Sequence, residues 1–244
     1  MIALDLIVWF FLEFDFQVYR RFPDDRVTSK WLHSVPPLIA DNETSIQEEC
    51  ENLFLELVLD RISRASKVRL GTDTMGLESV FLGGILDLLK GICDGEVAPC
   101  IKKICASLGK KKKLKASIAT SLQEIISTSE SLWLRNSMHI EKWIAPPGAW
   151  QLLSEVALFT PKSVDWKFLH HHWKLLDKAN PEEKEEGIDG EEADSFSWAG
   201  DRVFLLQTIA NVSVELPPLP ASELAANLLH RVEDFSMNLS EVIF

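Results

Sequence analysis

Apolar residues recur at helical spacing along almost the whole chain, without a series of alternating strands joined by tight turns. Short breaks rich in glycine, proline and aspartate divide the periodic segments. The clearest unit runs from Ser29 to Ile62 and predicts two helices joined by a turn at Asp41 and Asn42. Neither helix of such a pair can bury its apolar face alone, so neighbouring pairs must stack. The pattern therefore predicts an all-α fold, an α-solenoid of helical hairpins.

The two helices of this unit carry a specific layout of residues. The first helix is expected around Trp31 to Leu38 and contains Pro36 and Pro37, while Thr44 and Gln47 predict a capping box at the start of the second. The second helix is expected to bury the stripe Ile46, Cys50, Leu53, Phe54, Leu57 and Val58. The layout resembles the HEAT repeat, a HEAT/armadillo-like hairpin, and the matching residues are Pro36, Asp41, Ile46 and Gln47.

Further helices are predicted in the rest of the chain, at 77–92, 96–108, 114–134, 148–159, 165–178, 201–215 and 221–237. Pro99 falls in the first turn of its helix, where a missing N–H costs least. Residues 182–194 hold eight acidic residues and one lysine, which accounts for most of the net charge of -12. The chain is therefore divided into HEAT-like repeats over 1–178, an acidic insertion expected to be disordered over 179–197, and further repeats over 198–244.

The composition is that of a folded protein, with 46% hydrophobic and 25% charged residues. The apolar first 16 residues are interrupted by Asp5, Glu13 and Asp15, and the first basic residue is Arg20. This pattern fits neither a signal peptide nor a membrane span, so we expect a core helix whose N-terminal neighbour is missing. The cysteines lack metal-ligand or disulfide spacing and predict buried thiols in a reducing compartment; they are Cys50, Cys93, Cys100 and Cys105.

Lysine is concentrated in one short segment, and its members are Lys102, Lys103, Lys110, Lys111, Lys112, Lys113 and Lys115. Such a cluster could neutralise several phosphates and bind DNA weakly and without sequence preference. It could equally be a solvated loop between two repeats, since neither arginine nor aromatic residues are interleaved for base recognition. An acidic partner, or the acidic insertion, is a third possible contact.

Three consecutive histidines, at positions 170 to 172, suggest a metal site until helical geometry is considered. Consecutive helical residues point about 100° apart, and no nearby cysteine or acid completes a set of metal ligands. We therefore expect no metal, with one histidine packed beside Trp166, Leu169 and Trp173 and the others in water. The tryptophans are expected to fill the core.

No catalytic motif is present: the sequence has no Gly-rich phosphate loop, no GxSxG elbow and no HExxH. The chain is therefore predicted to be neither an enzyme nor a cofactor-binding protein. Thr160 precedes Pro161. It is either a site of proline-directed phosphorylation or an ordinary turn residue at a helix boundary.

Four segments of the chain resemble the middle of the large HEAT-repeat regulatory subunits of condensin II, of the CAP-D type. They are Ile46–Ile62, Cys93–Lys113, Ala145–Lys178 and Val203–Leu219. The resemblance implies a non-catalytic, non-SMC subunit that binds kleisin and SMC subunits and chromatin during mitotic chromosome condensation in the nucleus. It also implies a partial chain, because these subunits are much longer. The alternative from the same fold is a HEAT-type scaffold for nuclear transport or phosphatase assembly.

Overall fold

The computed structural model describes residues 25–65, 84–136, 140, 143–178 and 197–233. Within these ranges every regular element is helical, which confirms the predicted all-α class. The α-helices are α1 Asp25–Ser34, α2 Thr44–Phe54, α3 Asp60–Ala65, α4 Ile85–Ile92, α5 Ala98–Lys110, α6 Ala116–Asn136, α7 Ala149–Ala157, α8 Trp166–Lys178, α9 Ser197–Ser213 and α10 Pro218–Glu233. A π-helical turn, Leu55–Leu59, joins α2 to α3, and 3-10 turns lie at Pro36–Ala40 and Pro161–Ser163.

The first helix ends earlier than the sequence pattern predicted. It stops at Ser34, and Pro36 and Pro37 begin a separate 3-10 turn instead of lying inside the helix. Proline lacks a backbone N–H and its ring clashes with the preceding helical turn, so two in succession end an α-helix.

The start of α2 also differs from the prediction, because no capping box forms there. The N-cap residue is Glu43, and it makes no side-chain cap. Instead, Asp41 Oδ1 accepts a hydrogen bond from the Glu43 N–H at 2.9 Å, and Gln47 Nε2 donates to the Asp41 carbonyl at 2.6 Å. The Asp41 side chain folds onto the backbone two residues ahead, a common aspartate turn that places the helix start before Thr44. The predicted apolar stripe of this helix is buried throughout.

The helices stack in chain order, as a solenoid requires. Helix α1 packs on α4, α2 on α5, and α3 on α6. Helix α7 then contacts α4, α5 and α6 on one side and α9 on the other. One connected apolar core runs through these layers and includes Phe54, Leu108, Trp150 and Leu205. The predicted α-solenoid of hairpins is therefore present, and α5 carries Pro99 in its first turn as expected.

Two of the four cysteines differ from the prediction of buried thiols. Cys50 and Cys105 are buried, and burial raises the pKa of the Cys50 thiol to about 12 and that of Cys105 further still. Cys93 is exposed and Cys100 is part-exposed. Cys93 lies in the turn that follows α4, beyond the buried face of the helix. All four thiols are free.

Several sequence predictions lie outside the described residues. They are the apolar N-terminal helix, the first part of the helix expected at 77–92, residues 179–196 of the acidic insertion, and the chain beyond residue 233. In the part of the chain that the structure describes, no helix combines the length and the apolar character needed to cross a membrane.

Candidate interaction surface

The lysine cluster lies on α5 and on the loop that leads to α6. Three of its members reach across to the preceding repeat. Lys111 Nζ is 2.7 Å from Glu51 Oε2, and Lys115 Nζ is 2.8 Å from Asp60 Oδ1. Lys113 Nζ donates to Asn52 Oδ1 at 3.2 Å. These inner lysines, Lys111, Lys113 and Lys115, therefore join one repeat to the next.

Glu51 is the buried centre of this junction. Its side chain is only 3% exposed, on α2. Ser107 Oγ donates to Glu51 Oε1 at 2.6 Å, and Lys111 binds the other oxygen. A buried carboxylate is costly unless it is paired and hydrogen-bonded, so both partners are needed. Lys111 is therefore engaged within the chain and is a poor candidate for binding a partner.

The other four members of the cluster point into solvent. These outer lysines are Lys102, Lys103, Lys110 and Lys112. Lys103 and Lys110 are seven residues apart and so lie on the same face of α5, two turns from each other. Among the described residues, none of the four is in an ion pair within 4.0 Å. The structure thus divides the predicted cluster into three lysines that bind polar groups of the preceding repeat and four that have no ion pair among the described residues.

Local backbone geometry places Lys112 at the outer edge of the loop. Its φ of 57° lies in the left-handed region. The Lys112 N–H donates to the Gly109 carbonyl and the Lys113 N–H to the Leu108 carbonyl, both at 2.9 Å. This pair of bonds is the Schellman ending of a helix, in which glycine more commonly takes the left-handed position. The chain turns sharply there. Both lysines are exposed, and the Lys113 side chain contacts Asn52 of α2.

The three consecutive histidines have three different environments. His170 stacks on Trp166, with ring centroids 5.5 Å apart and planes 10° apart. The His171 side chain is 52% exposed, and that of His172 is 1% exposed. The buried ring of His172 lies among Trp143, Trp150 and Phe168. One histidine, His170, does pack beside Trp166 as expected. The expectation that the other two lie in water is wrong for His172, which is buried.

A buried acid that the sequence analysis missed lies beside these histidines. Glu130 of α6 has Oε1 at 2.7 Å from His171 Nε2 and Oε2 at 3.5 Å from His172 Nε2. Neighbouring helical residues can share this partner because a carboxylate offers two oxygens and the imidazole rings turn toward them. Burial alone would raise the pKa of Glu130, but its two histidine neighbours, His172 and His171, hold it below its ordinary value. No local sequence signal links Glu130 to residues about 41 positions later.

The tryptophans, expected in the core, and Thr160 are the remaining residues that the sequence singled out. Trp143, Trp150, Trp166 and Trp173 are buried as expected, whereas Trp133 is 36% exposed near the end of α6. Thr160 Oγ1 donates to the Val156 carbonyl at 3.0 Å, so its hydroxyl is used in the turn. The two alternatives for Thr160, phosphorylation and a turn residue, both stay open.

No protein-family model matches the chain, and no solved structure matches it. A curated protein does match: the chain is 53% identical over 243 residues to Condensin-2 complex subunit CAP-D3 of Arabidopsis thaliana. The match covers 93% of this chain and 18% of the relative. The chain therefore spans about a fifth of the length of the protein it resembles.

Proposed function

Because this chain belongs to the CAP-D3 family of condensin-2 complex subunits, we propose that it is a non-catalytic scaffold and regulatory part of condensin II. In this role it acts in mitotic chromosome condensation, in the nucleus and on chromosomes. The 53% identity to the curated relative carries the proposal. The stacked helices support it, since a solenoid presents extended surfaces on which other chains can bind.

The proposed protein partners are the kleisin and SMC subunits of the same complex. Affinity purification of the intact protein from dividing cells should recover both kinds of subunit in stoichiometric amounts. Recovery of neither, with nuclear-transport or phosphatase subunits in their place, would contradict the proposal and favour the alternative HEAT-type scaffold.

The outer lysines are the proposed contact with DNA. Their exposed ammonium groups can replace the counterions of phosphates, and this contact requires no base recognition. The inner lysines already bind Glu51, Asn52 and Asp60. We therefore expect only the four outer lysines to neutralise phosphates, about four phosphates instead of seven. The logarithm of the binding constant should then fall with the logarithm of salt concentration with a slope of about -3.6 for duplex DNA.

Charge reversal tests this contact, with a variant of equal net charge as its control. Changing all four outer lysines to glutamate should weaken binding to duplex DNA at least about tenfold, because fewer counterions are released when no ammonium group meets a phosphate there. The control changes Lys30, Lys90, Lys167 and Lys174, which are exposed on other helices, to glutamate. Fluorescence anisotropy with duplexes of several sequences measures both variants.

The control variant should lose less than about threefold in affinity, because its changes lie away from the proposed contact. Equal losses in the two variants would show that only overall charge matters and would exclude a DNA site at the outer lysines.

A further inference from the structure

We propose that Glu130, His171 and His172 bind a single transition-metal ion, with zinc the expected occupant, which ties α6 to α8. The inference is independent of the condensin role and concerns residues of α6 and α8 that are not part of the lysine cluster. It contradicts the sequence-based expectation of no metal site, because that expectation took no account of Glu130.

The environment of the two ring nitrogens of His172 is the first observation behind the proposal. Its Nδ1 lies 2.8 Å from the Phe168 carbonyl oxygen, which can only accept a hydrogen bond, so Nδ1 carries a proton. In a neutral imidazole the lone pair is then on Nε2. That atom is buried and makes no hydrogen bond, although Glu130 Oε2 lies 3.5 Å away. A lone pair and a carboxylate oxygen face each other there, which is unfavourable unless a cation lies between them.

The surroundings of His172 match those of a metal ligand. A histidine that binds metal through one ring nitrogen usually donates the other N–H to a carbonyl or carboxylate, which fixes the tautomer and the ring orientation. The Phe168 carbonyl has that role here. The rings of Trp150 and Phe168 lie 5.2 and 4.4 Å from the imidazole, centroid to centroid, and form an apolar shell around it.

The three candidate donor atoms lie close together. One Glu130 oxygen and the Nε2 atoms of His171 and His172 all lie within 4.8 Å of one another. Zinc binds such atoms at about 2.0 to 2.2 Å, so small side-chain rotations would bring all three into contact with one ion. Two imidazoles and one carboxylate suit zinc, whereas calcium and magnesium prefer oxygen ligands alone. The half-exposed His171 leaves a path for entry and room for water as a fourth ligand.

A metal ion at this site would stabilise the fold. Its ligands come from two helices and lie about 41 residues apart in sequence, so the ion would restrain α8 against α6. Metal that binds the folded chain and not the unfolded chain stabilises the fold by a free energy that grows with the logarithm of its concentration relative to the dissociation constant. The competing explanation is a proton on His172 Nε2, which would neutralise the same carboxylate without metal.

Zinc titration of the full chain separates the two explanations. The protein is prepared without a histidine tag, freed of metal with a chelator, and alkylated so that exposed Cys93 cannot bind zinc. Calorimetry and elemental analysis should then show one zinc ion per chain, with a rise in melting temperature. Removing a group that only orients a ligand costs about 10- to 100-fold in affinity, so His171→Ala and Glu130→Gln, which remove ligands, should each weaken binding at least about 100-fold.

His170→Ala is the matched control, since His170 lies on the same helix, stacks on Trp166 and is not one of the three candidate ligands. It should keep its affinity within about threefold and its zinc-dependent rise in melting temperature. The core residue His172 is left unchanged because its removal could unfold the chain. If the protein with the unmodified sequence binds no zinc, a proton on His172 Nε2 explains its contact with Glu130, and the proposal is overturned. Equal binding by the His170 and His171 variants would also overturn it, because the zinc would then be held elsewhere.

Discussion

A single buried carboxylate, Glu51, decides how the lysine cluster is used. Its burial demands a cation, and Lys111 supplies it across the junction between two repeats. Lys110, one residue earlier, is exposed and has no ion pair among the described residues. Two adjacent lysines therefore have different roles, one in stability and one available for binding.

Lys111→Met should destabilise the protein by about 1 to 3 kcal/mol, because it leaves Glu51 buried beside only the Ser107 hydroxyl. Lys110→Met, the control, should change the free energy of unfolding by less than about 0.5 kcal/mol. Urea denaturation measures both variants. Equal effects would mean that water or another group compensates Glu51.

Asp201, in α9, is a second carboxylate whose environment affects stability. Burial raises its pKa from 3.8 to about 7. The folded chain therefore holds this proton more tightly than the unfolded chain. Below about pH 4 the Asp201 carboxyl is protonated in both states, and its burial brings no charge into the fold. As pH rises toward 7 the unfolded chain releases this proton first, so the free energy of unfolding falls. Above about pH 7 the folded chain also carries the charge, and the buried carboxylate opposes folding.

Asp201→Asn should raise the free energy of unfolding by about 1 to 3 kcal/mol at pH 8, and by progressively less as the pH falls toward 4. Denaturation at several pH values measures the difference from the unmodified chain. Glu124→Gln, at an exposed position of α6, controls for the loss of one negative charge. A pH-independent difference for Asp201→Asn would contradict the raised pKa.

Close approach between helices depends on small residues at specific positions. Gly109, in the last turns of α5, faces the ring of Phe159, which follows α7, and a Cβ added there would overlap that ring. Gly148 begins α7 with φ of 77°, a left-handed conformation that favours glycine. These two positions set how α5 and α7 meet and how α7 starts.

Gly109→Ala should destabilise the chain by about 1 to 3 kcal/mol through overpacking. Helix propensity alone predicts the opposite sign, a gain of up to about 1 kcal/mol, so the direction of the change is diagnostic. Gly95→Ala is the control, since no atom lies within 4 Å of a Cβ built there. Thermal denaturation compares the two variants, and stabilisation by Gly109→Ala would mean that Phe159 moves aside freely.

The whole molecule is a stack in which each layer is stabilised by its neighbours. Helix α7 lies between earlier helices and α9, and all of its residues are buried. In α10, among the side chains that the structure describes, only Leu224 is buried, and Leu219 is 74% exposed. Stability should therefore vary strongly along the stack.

Hydrogen exchange followed by mass spectrometry should show this gradient. Peptides from α10 should exchange at least about 100-fold faster than those from α7, because local opening of α10 exposes little apolar surface. Similar protection in both helices would contradict a nearest-neighbour stack and indicate a single cooperative unit.

The sequence by itself determined the helical class, most helix positions and the need to stack, because hydrophobic spacing is local information that each segment carries alone. It also indicated the family, through segments spread over most of the chain. Only the tertiary structure decided which lysines are exposed and which acid meets the histidines. Those contacts join Glu51 to Lys111 and Glu130 to His171, residues 60 and 41 positions apart. Periodicity within one helix carries no information about which residues of another helix it will meet.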